Sequence, residues 1–170
     1  MTVVSGMEEA DMQGRLLEME DYRAIIELKS RYCNACDGGW DRTTHDLKIL
    51  GELFTEDAVW DGRPTLPLAE GREAILIMMQ GFRDTFPFII HNVMNPVIAI
   101  DGDNATGQWH AILHYRTPKG AGTSYSIYED TFERTAAGWR IKLLRVTGAA
   151  HVEFRETGTR YKFSESLLKP

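Results

Sequence analysis

The chain has 170 residues, 43% apolar and 26% charged, with 25 acids against 19 bases and a formal net charge of -6. That describes one globular domain of a size that buries a sizeable core without metal or disulfide staples. With no basic run, the electrostatic footprint of a nucleic-acid or anionic-membrane binder is missing. No apolar run approaches the roughly 18 residues of a membrane span, and no secretory leader pattern opens the chain, so a cytoplasmic protein is expected.

Residues 1–20 contain Gly6, Gly14 and five acids with little periodicity, and are expected to form a flexible or partly helical arm. From Asp21 the texture changes: Ile25, Leu28, Tyr32 and Cys36 recur at helical spacing, and Glu27, Lys29 and Arg31 are read on other faces. Asp21 can cap the start and Gly38-Gly39 the end, which gives a helix over 21–37. Cys33 and Cys36 lie on one face of it and read as small buried hydrophobes rather than a redox or zinc pair.

Residues 40–54 read as a shorter helix with Leu47, Leu50, Leu53 and Phe54 on its apolar side, followed by a short strand at 58–60 and a Pro-rich loop at 63–68. Residues 71–82 return to helix with a stripe of Ala74, Ile75, Met78, Met79 and Phe82. After Pro87 the pattern is β: strands at 88–100, interrupted at Asn95-Pro96, and at 105–116, 123–134 and 139–147, separated by turn-forming residues. Helices first and consecutive strands after predict an α+β domain over 21–151, a curved antiparallel or mixed sheet closed by helices into a cone with an apolar cavity. Residues 152–170 are expected to form a tail on the body or on a neighbouring subunit.

Three polar residues are placed to face such a cavity. Tyr32 lies in the helix stripe, so its hydroxyl needs a partner. Asp37 ends that helix, where the dipole disfavours a negative charge and something must compensate. His91 shares a strand face with Ile89 and Val93, so its ring nitrogens must be satisfied; an ionised aspartate beside it would fix its tautomer and orientation, as a general base requires. Candidate walls are Trp60, Met79, Trp109, Leu113, Tyr125 and Tyr128, with His110, His114 and Arg145 as further polar candidates. His110 and His114 share one strand face and Trp109 and Leu113 the other; the aromatic and apolar set 109, 111, 113, 115 argues for itself as the inner one. A metal is not expected, because histidines at i and i+4 on a strand lie roughly 13 Å apart, and no phosphate-binding glycine loop or cofactor motif is present.

Read in order, Ala24 to Tyr32 with Cys36-Asp37-Gly38-Gly39-Trp40-Asp41, Leu53 to Ala58, Gly71 to Ile75, His91 with Asn95-Pro96, and Tyr128 to Arg134 before Gly138 to Ile141 resemble the SnoaL-like family of the nuclear transport factor 2-like superfamily. The resemblance spans about 21–147. It includes cofactor-free dehydratases and dehydrohalogenases, the bile-acid, scytalone and hexachlorocyclohexane enzymes among them. It implies that Asp37 and His91 form an acid/base pair, with Tyr32 matching a tyrosine of the bile-acid enzyme. Leu113 stands where that enzyme has a further aspartate, and Gly148 where it has an arginine. The implied activity is a cofactor-independent lyase or isomerase acting on a small hydrophobic, ring-containing molecule, in a homodimer or homotrimer. A small-ligand carrier, or a scaffold like the small subunit of ring-hydroxylating dioxygenases, is the alternative.

Overall fold

The computed structural model describes the backbone of residues 2–154 and the side chains of residues 9 and 11–154. Three helices, α1 (Thr2–Cys36), α2 (Leu47–Leu53) and α3 (Arg72–Thr85), accompany six strands: β1 (Phe54–Asp61), β2 (Leu68–Glu70), β3 (Phe88–Asp101), β4 (Asn104–Thr117), β5 (Gly120–Thr135) and β6 (Gly138–Phe154). The strands form one sheet in the order β2-β1-β6-β5-β4-β3, in which the β1 and β6 pair is parallel and every other pair antiparallel. The α+β architecture and the mixed sheet are as the sequence predicts.

The inner face of the sheet and the helices share one core. Ile25, Leu28 and Cys36 from α1, Leu50 and Leu53 from α2, and Ile75 and Met79 from α3 meet Phe54, Phe132, Ile141 and Leu144 from the strands. Most of these side chains are fully removed from water, each contributing about 1.5–3 kcal/mol by burial. Cys33 and Cys36 are both free thiols in this core. Burial pushes the Cys33 thiol up to about 12 and Cys36 well above its ordinary value, so neither is a reactive thiolate at neutral pH.

Several expectations are corrected. The helix predicted to begin at 21 runs back to Thr2, so the arm is helical and continuous with α1, although residues 11–20 are all exposed. Lys29, read as lying off the buried face, is fully buried; at i+4 from Ile25 it belongs to the same stripe. The helix predicted over 40–54 is only seven residues long. Asp46 caps it by accepting from the backbone N–H of Lys48 and Ile49, and 40–46 is an irregular segment in front of it. The strand at 88–100 is not interrupted by Asn95-Pro96; the ladder shifts register there as a bulge, with Asn95 at φ 55°. β6 extends to Phe154, well past the predicted end at 147, and so takes in the first residues of the expected tail; residues 155–170 lie outside the described residues. Among the described residues no helix is long and apolar enough to cross a membrane.

Candidate active site

The site is built where the end of α1 is stitched to the start of β3. Gly38 and Ile89 pair as an isolated antiparallel bridge, with Gly38 N–H donating to Ile89 O (3.1 Å) and Ile89 N–H to Gly38 O (3.2 Å). A Cβ on Gly38 would come within 2.7 Å of the Thr43 carbonyl oxygen, so only glycine admits this close approach of the Thr43–Thr44 backbone to the end of α1. The bridge fixes the register, and Asp37, one residue before it, faces His91, two residues beyond its partner.

Asp37 Oδ1 lies 2.6 Å from His91 Nδ1 and also accepts the His91 backbone N–H at 2.9 Å. These two donors supply the compensation that a carboxylate at a helix C-terminus needs. Arg42 donates to the Asp37 and Asn34 carbonyls, satisfying helix-end acceptors left open by the turn. Both side chains are largely buried, His91 at 5% and Asp37 at 9% exposed. A carboxylate can only accept, so Nδ1 carries the ring proton and Nε2 is the basic nitrogen, with no protein partner among the described residues.

His91 opens on a cavity of about 500 Å³ under the concave face of the sheet. Its floor and walls include Tyr32 and Cys36 from α1, Trp60 from β1, Phe82 from α3 with Phe86 just beyond it, Ile89 from β3, Leu113 and Tyr115 from β4, Tyr128 from β5 and Val146 from β6. Gly62, Thr65 and Leu66, and residues 148–151 of the long β6, also line it, with Thr65 next to Gly148. Asp61 fixes the first of these loops. Its carboxylate accepts Arg63 Nε and Nη2 at 2.9 and 3.0 Å and the Arg63 backbone N–H at 3.1 Å, and these bonds hold it well below the usual carboxylate range.

Tyr32 receives the Trp60 indole N–H at 3.1 Å and turns its ring edge towards His91 at 6.5 Å between centroids. Because the hydroxyl oxygen accepts from Trp60, its own proton is left to donate, with the Cys36 sulfur as its acceptor within the protein and a substrate oxygen as the stronger competitor. Burial pushes the phenol well above its ordinary value, so it remains a donor across the neutral range. Tyr128 is held protonated by the same cause.

Of the predicted wall residues, Trp60, Leu113 and Tyr128 line the cavity and three do not. Met79 is fully buried in the core on α3. Trp109 packs edge-on against Phe132 at 6.0 Å, deeper in the cone than the cavity. Tyr125 is 42% exposed on the outer face of β5, opposite Ile112 and Ala150. The 109, 111, 113, 115 face of β4 is the inner one, and His110 and His114 are exposed, bonding to Asn95 and Thr123. Arg145 lies 3.6 Å from Asp61 and outside the cavity wall.

Beneath Tyr128 lies an ion pair. Lys29 Nζ bonds Asp130 Oδ2 at 2.7 Å with both side chains essentially inaccessible, and sits 3.4 Å from the centre of the Tyr128 ring. Burial raises the Asp130 carboxyl from its ordinary value and the Lys29 ammonium opposes that shift.

His45 is a cavity residue that the sequence reading did not single out. It is 3% exposed and stands 5.9 Å from the Phe82 ring. Burial first, then the neighbouring His91 and Arg83, push it down to about 3, so it is neutral at physiological pH. In the unfolded chain it would bind a proton below its ordinary value of 6.5, so the unfolded state holds the extra proton between about 6.5 and about 3. Stability is therefore expected to fall as the pH is lowered through that window, by up to about 1.4 kcal/mol per pH unit from this group. Urea midpoints of the wild type and His45→Asn at pH 4 to 7 check it: the variant should show the shallower slope, and parallel slopes would refute it.

A helix-covered, cone-like sheet with its polar groups gathered at the open side is the nuclear transport factor 2-like fold. Within it the chain belongs to the SnoaL-like domain family, whose model matches residues 17–145. In structure it is similar to an NTF2-like protein with a cystatin-like fold from Novosphingobium aromaticivorans, with 25% identity, TM-score 0.68, and 94% of this chain and 96% of that one covered. It is also similar to a provisionally assigned scytalone dehydratase from the same organism (22%, TM-score 0.71, 85% and 92% covered). Hexachlorocyclohexane dehydrochlorinase LinA-type3 from Novosphingobium barchaimii is a third such structure (16%, TM-score 0.76, 88% and 99% covered). No curated protein matches in sequence.

Proposed function

We propose that the protein is a cofactor-independent lyase or isomerase acting on a small hydrophobic, ring-containing molecule. His91 Nε2 removes a proton from carbon, Asp37 holds the imidazole in the required tautomer, and Tyr32 donates a hydrogen bond to the charge or leaving oxygen that develops. The observation that carries this reading is the 2.6 Å bond between Asp37 Oδ1 and His91 Nδ1 at the wall of the cavity, with Nε2 left unbonded. A scaffold subunit has no use for an oriented, buried base.

The walls support the substrate class. Trp60, Phe82, Phe86, Leu113 and Tyr128 surround a space suited to a ring, and Leu113 and Gly148 line it at the two positions where the bile-acid enzyme carries charges. The activity is therefore a relative of that chemistry with a less charged pocket. A homodimer or homotrimer is part of the same proposal, supported by Met12, Leu16 and Met19, which lie exposed at helical spacing on α1.

The experiment is to incubate the protein in D₂O with a set of cyclic ketones, with and without a β-hydroxyl or β-halide, and to follow deuterium uptake at the α-carbon and loss of water or halide by mass spectrometry. Exchange or elimination above the buffer rate is expected; tight binding without either would make the protein a carrier. Tyr32→Phe should lower the rate by about 10²-fold, the typical cost of removing one donor to a developing oxyanion. Because that variant also orphans the Trp60 N–H, the double variant Tyr32→Phe/Trp60→Phe is the control; restoration of the rate in the double variant would contradict a direct role for the hydroxyl.

A further inference from the structure

His45 is held in an unusual state by its surroundings. It is a non-glycine residue in the left-handed region, at φ 54°, in the irregular segment before α2. Its backbone N–H donates to Cys36 O at 3.1 Å, and the next residue's N–H donates to Ala35 O at 2.7 Å, so the segment is sewn to the last turn of α1. From the other side, Arg83 on α3 donates to the carbonyls of Thr44 and His45, and the Thr44 hydroxyl donates to Phe86 O. The backbone is thus clamped from two helices, yet neither ring nitrogen bonds a protein group, and Nδ1 is sealed from solvent without a partner.

Such rigid placement of an unsatisfied imbalance in a cavity wall asks for a ligand. A neutral imidazole has one N–H and one lone pair. A buried acceptor without a donor is tolerated better than a buried N–H without an acceptor, which assigns the lone pair to the sealed Nδ1 and the proton to Nε2, on the edge that the ring presents to the cavity.

We propose that His45 is a hydrogen-bond donor, through Nε2–H, to an oxygen of the substrate, and that the substrate class is accordingly ring compounds whose reacting C–H lies next to a carbonyl. This rests on the reading of Asp37 and His91 as the proton-abstracting pair. When the α C–H bond breaks, the proton goes to His91 Nε2, the C–H electron pair forms the carbon–carbon double bond, and the carbonyl π pair moves onto the oxygen that His45 and Tyr32 face. When that pair returns, the carbonyl re-forms. Either a β-hydroxyl then leaves, taking the proton from the imidazolium as water, or the proton is returned to a different carbon. A neutral donor suits this role, since it stabilises the oxyanion without offering a competing acidic proton.

The test compares two probes of one shape, 4-nitrophenolate and 4-nitrotoluene, binding to the wild type, His45→Gln and His45→Phe, with each fold checked by circular dichroism. His45→Phe should weaken the phenolate about 10- to 100-fold, the range for a hydrogen bond to a charged group, and leave the nitrotoluene within about twofold; His45→Gln, which keeps an N–H, should recover most of the loss. On the unmutated protein, ¹⁵N-resolved NMR of the imidazoles should show His45 as the neutral Nε2–H tautomer from pH 5 to 9. Equal losses for both probes, no loss for either, or an Nδ1–H or charged ring would overturn the proposal. Failure of the underlying reading is distinguishable: His45-dependent phenolate binding would persist while α-exchange proved independent of His91.

Discussion

Replacing His91 with alanine is expected to slow deuterium uptake at the substrate α-carbon by about 10²–10⁴-fold, the usual contribution of a positioned general base. The strand around it keeps its ladder to β4, in which His91 pairs with Leu113, and Asp37 keeps the backbone N–H of residue 91 but loses the imidazole donor, so the melting temperature should fall and the rate is compared per folded molecule. Asp37→Asn should cost a rate factor of the same order for a different reason. An amide oxygen at the Oδ1 position still accepts from both the His91 backbone N–H and Nδ1–H, but the negative charge that raises the basicity of Nε2 and stabilises the imidazolium formed on proton transfer is gone. A merely structural role for Asp37 would lower stability and spare the rate per folded molecule. The proposal is read from the opposite pattern, and exchange within about threefold of wild type in both variants would end it.

The second large effect is on stability. Lys29→Met should leave Asp130 buried and unpaired, with Oδ2 losing its donor while Oδ1 already has none. Breaking a buried pair from one side typically costs about 3–5 kcal/mol, or a fall in melting temperature of roughly 6–20 °C at about 2–4 °C per kcal/mol for a domain of this size. The double variant Lys29→Met/Asp130→Leu removes both charges and should recover most of that loss, because the pair itself offsets little more than its own desolvation. Calorimetric melts of the two variants check this; a double variant as unstable as the single would mean that the ammonium over the Tyr128 ring, 3.4 Å from its centre, carries the stability instead.

The parts of the site that the sequence announces are those governed by a simple period. Tyr32 follows from the helical stripe of α1, and His91 from the alternation on β3 with Ile89 and Val93. Asp37 follows from a helix end marked by two glycines. Leu113 follows from the alternation on β4, where the aromatic and apolar set does prove to face inward. Local pattern falls short where burial is decided by a partner far away in the chain. Lys29 falls in the α1 stripe by its period, but its charge reads as surface until Asp130, 101 residues on, is seen beside it. Met79 and Trp109 have the composition of cavity walls, but their depth in the cone, which no local pattern encodes, places them in solid core. Tyr125 and Tyr128 are three apart on one strand, so alternation puts them on opposite faces; Tyr128 shares the inner face with Ser124 and Ser126, and Tyr125 lies outside.

His45 was hidden for a related reason. Reading 40–54 as one helix gives its histidine ordinary helical geometry, whereas α2 starts at Leu47 behind the Asp46 cap and leaves His45 at positive φ in front of it. The signal available was Asp46 itself, a strong N-cap residue directly before the Leu47, Leu50, Leu53 stripe. The length of β6 escaped similarly: a strand of 17 residues includes a bulge and small and polar residues that break alternation, and only pairing with β5 along its whole length holds it extended.

The central claim is that one fixed base, His91 Nε2, removes a proton from a carbon bound in this cavity. The most direct measurement is the stereochemistry of α-deuterium uptake into a bound cyclic ketone with two α-hydrogens on the exchanging carbon, followed by ¹H NMR in D₂O with the wild-type protein. A base held on one wall by Asp37 reaches one face of the ring, so uptake should be faster than in buffer and confined to one prochiral position. Uptake at the buffer rate, or equal labelling of both positions, would contradict the account.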